Sequence, residues 1–308
     1  MAAIDPVMDT AVAMGTPEGV QFVRAERRRP GVPRRRRFLV TVARHSVLIA
    51  FAAMFALPFV YMLLQSVMPI DQVKTGEIWP RSFEWSNYKT VFDKIPLLTY
   101  FKNTALVCIA TTVGTVVSCV PVAFVFSRVQ WRGRTTVFVI VLATMMLPYQ
   151  VLFVPQYQIF SNLGWVDSLL PLTVPAFFAD AFSIFLLRQF FLTLPGEVLD
   201  AARVDGAGEF RVLTRVVVPL ARPAIMAVAM FQFLFSWGDF FGPLLYLNTP
   251  DHYTLAVGIQ QFNSEVGRLG ASNLTLAASA MFITPVIILF FFAQKVFIEG
   301  VALTGIKG

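Results

Sequence analysis

Six uninterrupted apolar stretches dominate this chain, at approximately 46–67, 104–127, 135–158, 169–192, 224–247 and 274–297. Each is close to the roughly 20 residues an α-helix needs to cross a bilayer. The runs are continuous and do not alternate with period two, which predicts helices rather than a β-barrel. Charged residues make up 14% of the chain, against roughly 25% in an ordinary soluble domain, so most of the surface is expected to meet lipid. The fold class that follows is an all-α integral membrane protein with six transmembrane helices. The first stretch, Ser46 to Met68, is too long for a signal-peptide core and no small-x-small site follows it. It therefore reads as a retained span.

Charge sets the orientation. With the amino terminus in the cytoplasm, only Lys74, Arg81, Lys89, Lys94, Lys102 and Arg268 of the 25 Lys and Arg fall in outer segments. That bias predicts a multi-pass protein of the cytoplasmic membrane with both termini inside. Residues 1–37 carry Pro, Gly, Arg24, Arg27–Arg29 and Arg34–Arg37, and are expected to be a disordered basic cytoplasmic tail ahead of a transmembrane domain at 38–308. The arginines have no interleaved aromatics and abut a span. They read as an anchor on anionic membrane lipid, not as a nucleic-acid arm.

Several spans contain proline (Pro58, Pro121, Pro148, Pro155, Pro171, Pro175 and Pro285). Each removes a backbone donor, and the freed carbonyl must face a partner or a water-filled cavity. Such spans suit a gated pathway better than a rigid anchor. The outer loop 69–103 holds Trp79, Trp85, Tyr88 and Tyr100, residues that favour the membrane interface. Cys108 and Cys119 are three turns apart on one expected helix and cannot bridge each other. They read as buried small hydrophobes. His45 and His252 lack ligand-spaced partners, so no metal site is expected. No phosphate-cradling G-x-x-x-x-G-K-[ST] occurs, nor any nucleophile–base set, so no catalytic residue or cofactor is expected on this chain.

Between the fourth and fifth spans, residues 195–222 are polar, charged and rich in small side chains. Pro195 precedes a short helix with Glu197 and Asp200 expected in its first turn, where acids complement the helix dipole. Ala201 and Ala202 keep its surface low, Asp205 follows, and Gly206 and Gly208 break it. A second short helix is expected with Phe210, Leu213 and Val217 on one side, and Pro219 opens the run into the fifth span. The segment reads as a helix–turn–helix knob on the cytoplasmic side. On the residues alone, a docking surface and an amphipathic hairpin lying on lipid both fit.

Two acids fall at membrane depth, Asp180 and Asp239. A charge at mid-bilayer costs on the order of 3 kcal/mol on insertion scales, so each is expected to face a cavity or an interhelix partner. Asp239 lies near Trp237, and an acid beside an aromatic face suits a sugar. Gln232 lies about two turns earlier on the same span. These four are the pathway candidates, against an interhelix hydrogen bond as the plainer role for each acid.

The pattern Asp200-Ala201-Ala202, Gly206, Val216-x-Val218-Pro219 resembles the EAA loop by which membrane subunits of ABC importers hold their ATPases. The run Ala181 to Phe191, the segment Phe235-Ser236-Trp237-Gly238-Asp239-Phe240 and the end Gly300 to Gly308 extend the resemblance to the MalG-like permease subunits of carbohydrate importers, over roughly residues 45–308. The family usually has Glu at Asp200, Leu at Val218 and Asn at Gly238. The resemblance implies a second permease subunit, two ATP-binding subunits that carry ATP and Mg²⁺, and an extracytoplasmic solute-binding protein. It also implies that Asp200, Ala201, Ala202, Asp205, Gly206 and Pro219 couple the ATPase to alternating access, and that the outer loop 248–273 meets the binding protein. The alternatives are an ion-coupled secondary transporter or channel, and a membrane scaffold without transport.

Overall fold

The structure is a computed structural model that describes residues 34–268 and 270–305. Residues 1–33, most of the expected tail, and the last three residues, including Lys307, lie outside the described residues. Two units are present, divided between Pro58 and Phe59. The first is helical: α1 (Arg34–Ser66) begins inside the stretch expected as tail, and its described side chains up to Pro58 are exposed.

The second unit is all-helical among the described residues. Two short helices, α2 (Ile70–Thr75) and α3 (Ser86–Lys94), lead into the long α4 (Leu97–Arg128). The third expected span then divides into α5 (Arg134–Thr144) and α6 (Phe153–Asn162). Pro148 lies at the break, and a residue before proline is driven out of the α region. The fourth is α7 (Leu170–Thr173), a 3₁₀ segment (Val174–Phe178), and α8 (Ala181–Thr193), split at Ala179, whose φ is 64°. The knob holds α9 (Gly196–Val204), α10 (Glu209–Val212), a π-turn at Leu213–Val217 and α11 (Val218–Leu220). The fifth stretch is α12 (Arg222–Gly238), then α13 (Phe241–Tyr246). Pro243 has no N–H for a continuing helix but is tolerated in the first turn of a new one. Helix α14 (Leu255–Arg268) fills the loop expected at 248–273, and α15 (Ser272–Gly305) is the last element among the described residues.

Six unbroken spans are therefore not what these residues form. Among the described residues, four helical stretches are long and apolar enough to cross a bilayer: Phe38–Ser66, Leu97–Arg128, Leu170–Thr193 and Ser272–Phe291. A fifth arises if Glu209–Leu220 and Arg222–Gly238, bent by 80°, act as one. Apolar composition reports partitioning into lipid, and it does not report where proline and capping acids interrupt the backbone.

Helix α4 packs along α8, α12 and the 3₁₀ segment. Its two ends belong to different cores. Cys119, Val120, Ala123 and Phe124 join Leu187, Phe191, Val212, Val217, Ala224 and Val228. Leu97, Tyr100 and Cys108 join Trp237, Leu255, Phe262, Ala277 and Ala278. Both cysteines are free and buried, as their spacing and apolar setting suggested. Small residues allow the close approaches. A Cβ on Gly114 would meet the Phe177 ring at 2.8 Å, and one on Gly258 would meet the buried Tyr100 ring at 2.2 Å. Gly258→Ala is expected to destabilise the protein by about 1–3 kcal/mol, the usual cost of overpacking. Thermal unfolding in detergent checks this, and an unchanged midpoint would show that Tyr100 moves aside freely.

Candidate functional site

The knob is built by its termini. Pro195 stands as the N-cap of α9, ahead of the first turn, where a missing N–H breaks no helical bond. Glu197 lies in that first turn, whereas Asp200 falls in the second, because the helix starts only at Gly196. Helix α9 ends in a Schellman turn: Ala207 N–H donates to Ala202 O and Gly206 N–H to Arg203 O, both at 3.0 Å. Gly206 sits there at φ 82°, a left-handed conformation that glycine adopts without Cβ strain. Gly208 has an ordinary φ and instead caps α10.

Arg203 ties the two short helices together. It donates to Asp200 at 2.9 Å and, through two nitrogens, to Glu209 at 2.9 and 3.1 Å. Glu209, then Asp200, raise the Arg203 pKa above its ordinary value. Asp200, Ala201, Asp205, Gly206 and Pro219 are exposed, and Ala202 packs partly against the core. Val204 and Phe210 project at 88% and 79% exposure. Phe210 was expected to share a face with Leu213 and Val217. Instead the buried face centres on Val212, Leu213 and Val217, and the π-turn over 213–217 departs from the 3.6-residue period on which the expectation rested.

The knob is packed against the helices before and after it. Leu199, Val212, Leu213 and Val217 are buried against α4, α8 and α12. Two arginines clasp the ends of α4 and α8. Arg128 donates Nε to Phe191 O at 2.9 Å and Nη2 to the same oxygen at 2.6 Å, and it also bonds Leu194 O. Arg188 returns Nε to Phe126 O at 3.1 Å and lies 4.2 Å over the Phe138 ring. Each guanidinium bonds carbonyls at a helix end, although Phe191 O also accepts from Leu194 N–H at 3.2 Å. In the sequence these arginines counted only toward orientation; the signal at Arg128 was a cation in the last turn of its helix, whereas Arg188 lies earlier in α8.

Between the two cores lies a cavity of about 270 Å³. It brings together Asp180, Gln232 and Asp239 with residues not singled out from sequence: Thr111, Thr115, Gln156, Ser236 and Tyr246. The helix breaks make it. Asp180 caps α8, its Oδ1 accepting from Ser183 N–H at 2.8 Å, and Asp239 Oδ1 accepts from Gly242 N–H at 3.2 Å. Gln232 donates to Ser236 Oγ at 3.0 Å, and Ser236 shares a 2.7 Å bond with Thr111 across to α4. Trp237 is not part of this lining. It is 3% exposed, its N–H donates to Phe282 O at 3.2 Å, and its ring packs on Phe101, Phe233 and Phe282. The helix ends one residue later, so Asp239 leaves along a different direction. Phe160 and Phe235 supply aromatic lining instead.

A second polar cluster ties two loops together, one before α7 and one after α13. Asp167, at φ 63°, accepts from the N–H groups of Asn248 and Thr249 at 2.8 and 2.9 Å and from the Thr249 hydroxyl, and the His252 ring lies 3.3 Å from its carboxylate. The Thr249 hydroxyl and these two amides hold its carboxyl well below the usual carboxylate range. A depressed folded pKa means the latch contributes above the unfolded value of about 3.9 and weakens only as pH falls through the lower folded one. Amide protection of Asn248 and Thr249 should therefore stay flat from pH 8 to 5, and Asp167→Ala should lower it about tenfold in hydrogen exchange. Loss of protection by pH 5 in the unaltered protein would contradict this account.

Residues 110–302 match the family described as binding-protein-dependent transport system inner membrane component. Among curated relatives, the arabinooligosaccharides transport system permease protein AraQ of Halalkalibacterium halodurans is 32% identical, covering 84% of this chain and 93% of that protein. The sn-glycerol-3-phosphate transport system permease protein UgpE of Brucella abortus is 29% identical, covering 84% and 95%. Among solved structures, a chain of a bacterial ABC transporter involved in the import of the acidic polysaccharide alginate shares the fold. Its TM-score is 0.74 at 24% identity, covering 87% of this chain and 99% of that one.

Proposed function

Since the chain belongs to the inner membrane components of binding-protein-dependent transport systems, a family of transport permeases rather than enzymes, we propose that it is one permease subunit of an ATP-driven importer of sugars or sugar-like solutes. A second permease, two ATP-binding subunits carrying ATP and Mg²⁺, and an extracytoplasmic solute-binding protein complete the complex. The chain crosses the cytoplasmic membrane six times with both termini inside, and the broken segments 134–162 and 222–246 serve as the third and fifth crossings.

The observation that carries this reading is the clasped knob. It presents Val204, Phe210 and the Gly206 turn to a partner, while Arg128 and Arg188 bind its base to α4 and α8. A surface so anchored moves as one body with the spans. Closure of the ATPase pair displaces the knob, and the spans follow between outward-facing and inward-facing states. ATP drives the change only through the difference in affinity of the ATPases for the two states. Asp200, Ala201, Ala202, Asp205, Gly206 and Pro219 transmit the stroke, and Asp180, Gln232 and Asp239 line the pathway. Affinity purification from the native membrane, with mass spectrometry, should recover an ATP-binding subunit and a second permease in stoichiometric amounts. Recovery of the chain alone, stable and monodisperse, would instead favour an ion-coupled transporter or channel.

A further inference from the structure

We infer that the cavity selects uncharged, hydroxyl-rich solutes and excludes anionic ones, an inference that rests on the importer reading above and narrows its substrate. The cavity lies where α4, α6, α7 and α12 meet the two helix breaks, and its polar lining is two carboxylates with amide and hydroxyl groups. None of its lining residues among those described is Lys, Arg or His. The nearby spans do carry arginine, but Arg128 and Arg188 point their guanidinium groups at backbone carbonyls.

Helix N-termini at a break are ordinarily the places where a membrane protein holds an anion, because free N–H groups converge there. Here Asp180 already occupies the N-terminus of the 13-residue α8, with Oδ1 on Ser183 N–H at 2.8 Å. Asp239 likewise takes the Gly242 N–H. One backbone donor at each break is thus taken up from within, and what each break turns to the cavity is a carboxylate. A phosphate or uronate entering it meets like charge and no cation. A sugar hydroxyl can donate to a carboxylate, a charge-assisted bond of the stronger kind, and accept from the Gln156 or Gln232 amide.

The test reads the charge of the cavity directly. In a Cys108→Ala, Cys119→Ala background, Gln232→Cys is labelled in the intact complex in native membrane vesicles. The reagents are a cationic and an anionic methanethiosulfonate of similar size. The cationic reagent should react at least about tenfold faster, relative to the same ratio at an exposed Ser264→Cys control. Asp180→Asn with Asp239→Asn should bring the ratio to within about threefold of the control, and because Asn also caps helices the breaks should stay intact. Phe235→Cys, on the same lining, supplies the measurement should Gln232→Cys fail to fold. An anionic reagent that reacts as fast as the cationic one, or a ratio unmoved by the two Asn substitutions, overturns the inference. So does import of a uronate-bearing oligosaccharide at the rate of its uncharged counterpart. Failure of the importer reading shows separately, as absence of an ATP-binding subunit from the purified complex.

Discussion

Gly206→Leu is expected to abolish ATP-driven uptake, by about 100-fold or more, while the chain still reaches the membrane. A Cβ at this position meets nothing within 4 Å inside the chain, so the substitution breaks no internal packing. It carries two consequences. The left-handed backbone costs an L-residue roughly 1–2 kcal/mol, and a branched side chain stands on the exposed turn that the ATPase is proposed to cover. The two are separable. Asn tolerates the left-handed region and is short, so Gly206→Asn should keep uptake within about threefold of the unaltered protein. If both variants lose uptake equally, backbone strain and not docking is responsible. Unimpaired uptake in Gly206→Leu would remove the turn from the partner interface.

Arg128→Ala is expected to uncouple hydrolysis from transport, with uptake falling about tenfold or more while ATPase activity persists. The guanidinium holds the last carbonyls of α8, Phe191 O and Leu194 O, at the root of the knob. Hydrogen bonds to a charged group contribute about 1.5–3 kcal/mol. Without them the knob can follow the ATPase without carrying α8. Lysine keeps the charge but lacks the planar fork, so Arg128→Lys should recover only part of the coupling. A parallel fall in hydrolysis and uptake would mean that Arg128 serves assembly and not the stroke.

Much of the knob was legible from its residues because its determinants are local. Pro195 and Gly206 act through their own backbone angles, and with Gly208 they end or begin a helix within a residue or two of the expected place. The register beyond Gly208 was less legible. Phe210, Leu213 and Val217 have an α-helical spacing, but the π-turn gives that stretch a different period, and Phe210 stays exposed. Arg203 was counted among the cytoplasmic charges, and its bridge between Asp200 and Glu209 appears only once the Gly206 turn folds α10 back on α9.

The cavity divides the same way. That Asp180 and Asp239 needed a cavity or a partner followed from the cost of charge at membrane depth; both line the cavity, each accepts a backbone N–H of the next helix, and Asp180 also meets Cys119 of α4. That Ser236, not its neighbour Trp237, joins Gln232 and Thr111 could not be read from spacing along one helix, because the choice depends on which neighbouring helix lies on which side.

By itself the sequence determined the helical character of the apolar runs, the bias of positive charge and the position of the knob. These depend on the partitioning of single segments and on backbone preferences of single residues. Only the tertiary structure decided where the spans break, which arginines clasp α4 to α8, and which polar groups share one cavity. Those outcomes rest on pairs remote in the chain, such as Arg128 with Phe191 and Thr111 with Ser236, and a pair has no energy until packing has brought its members together.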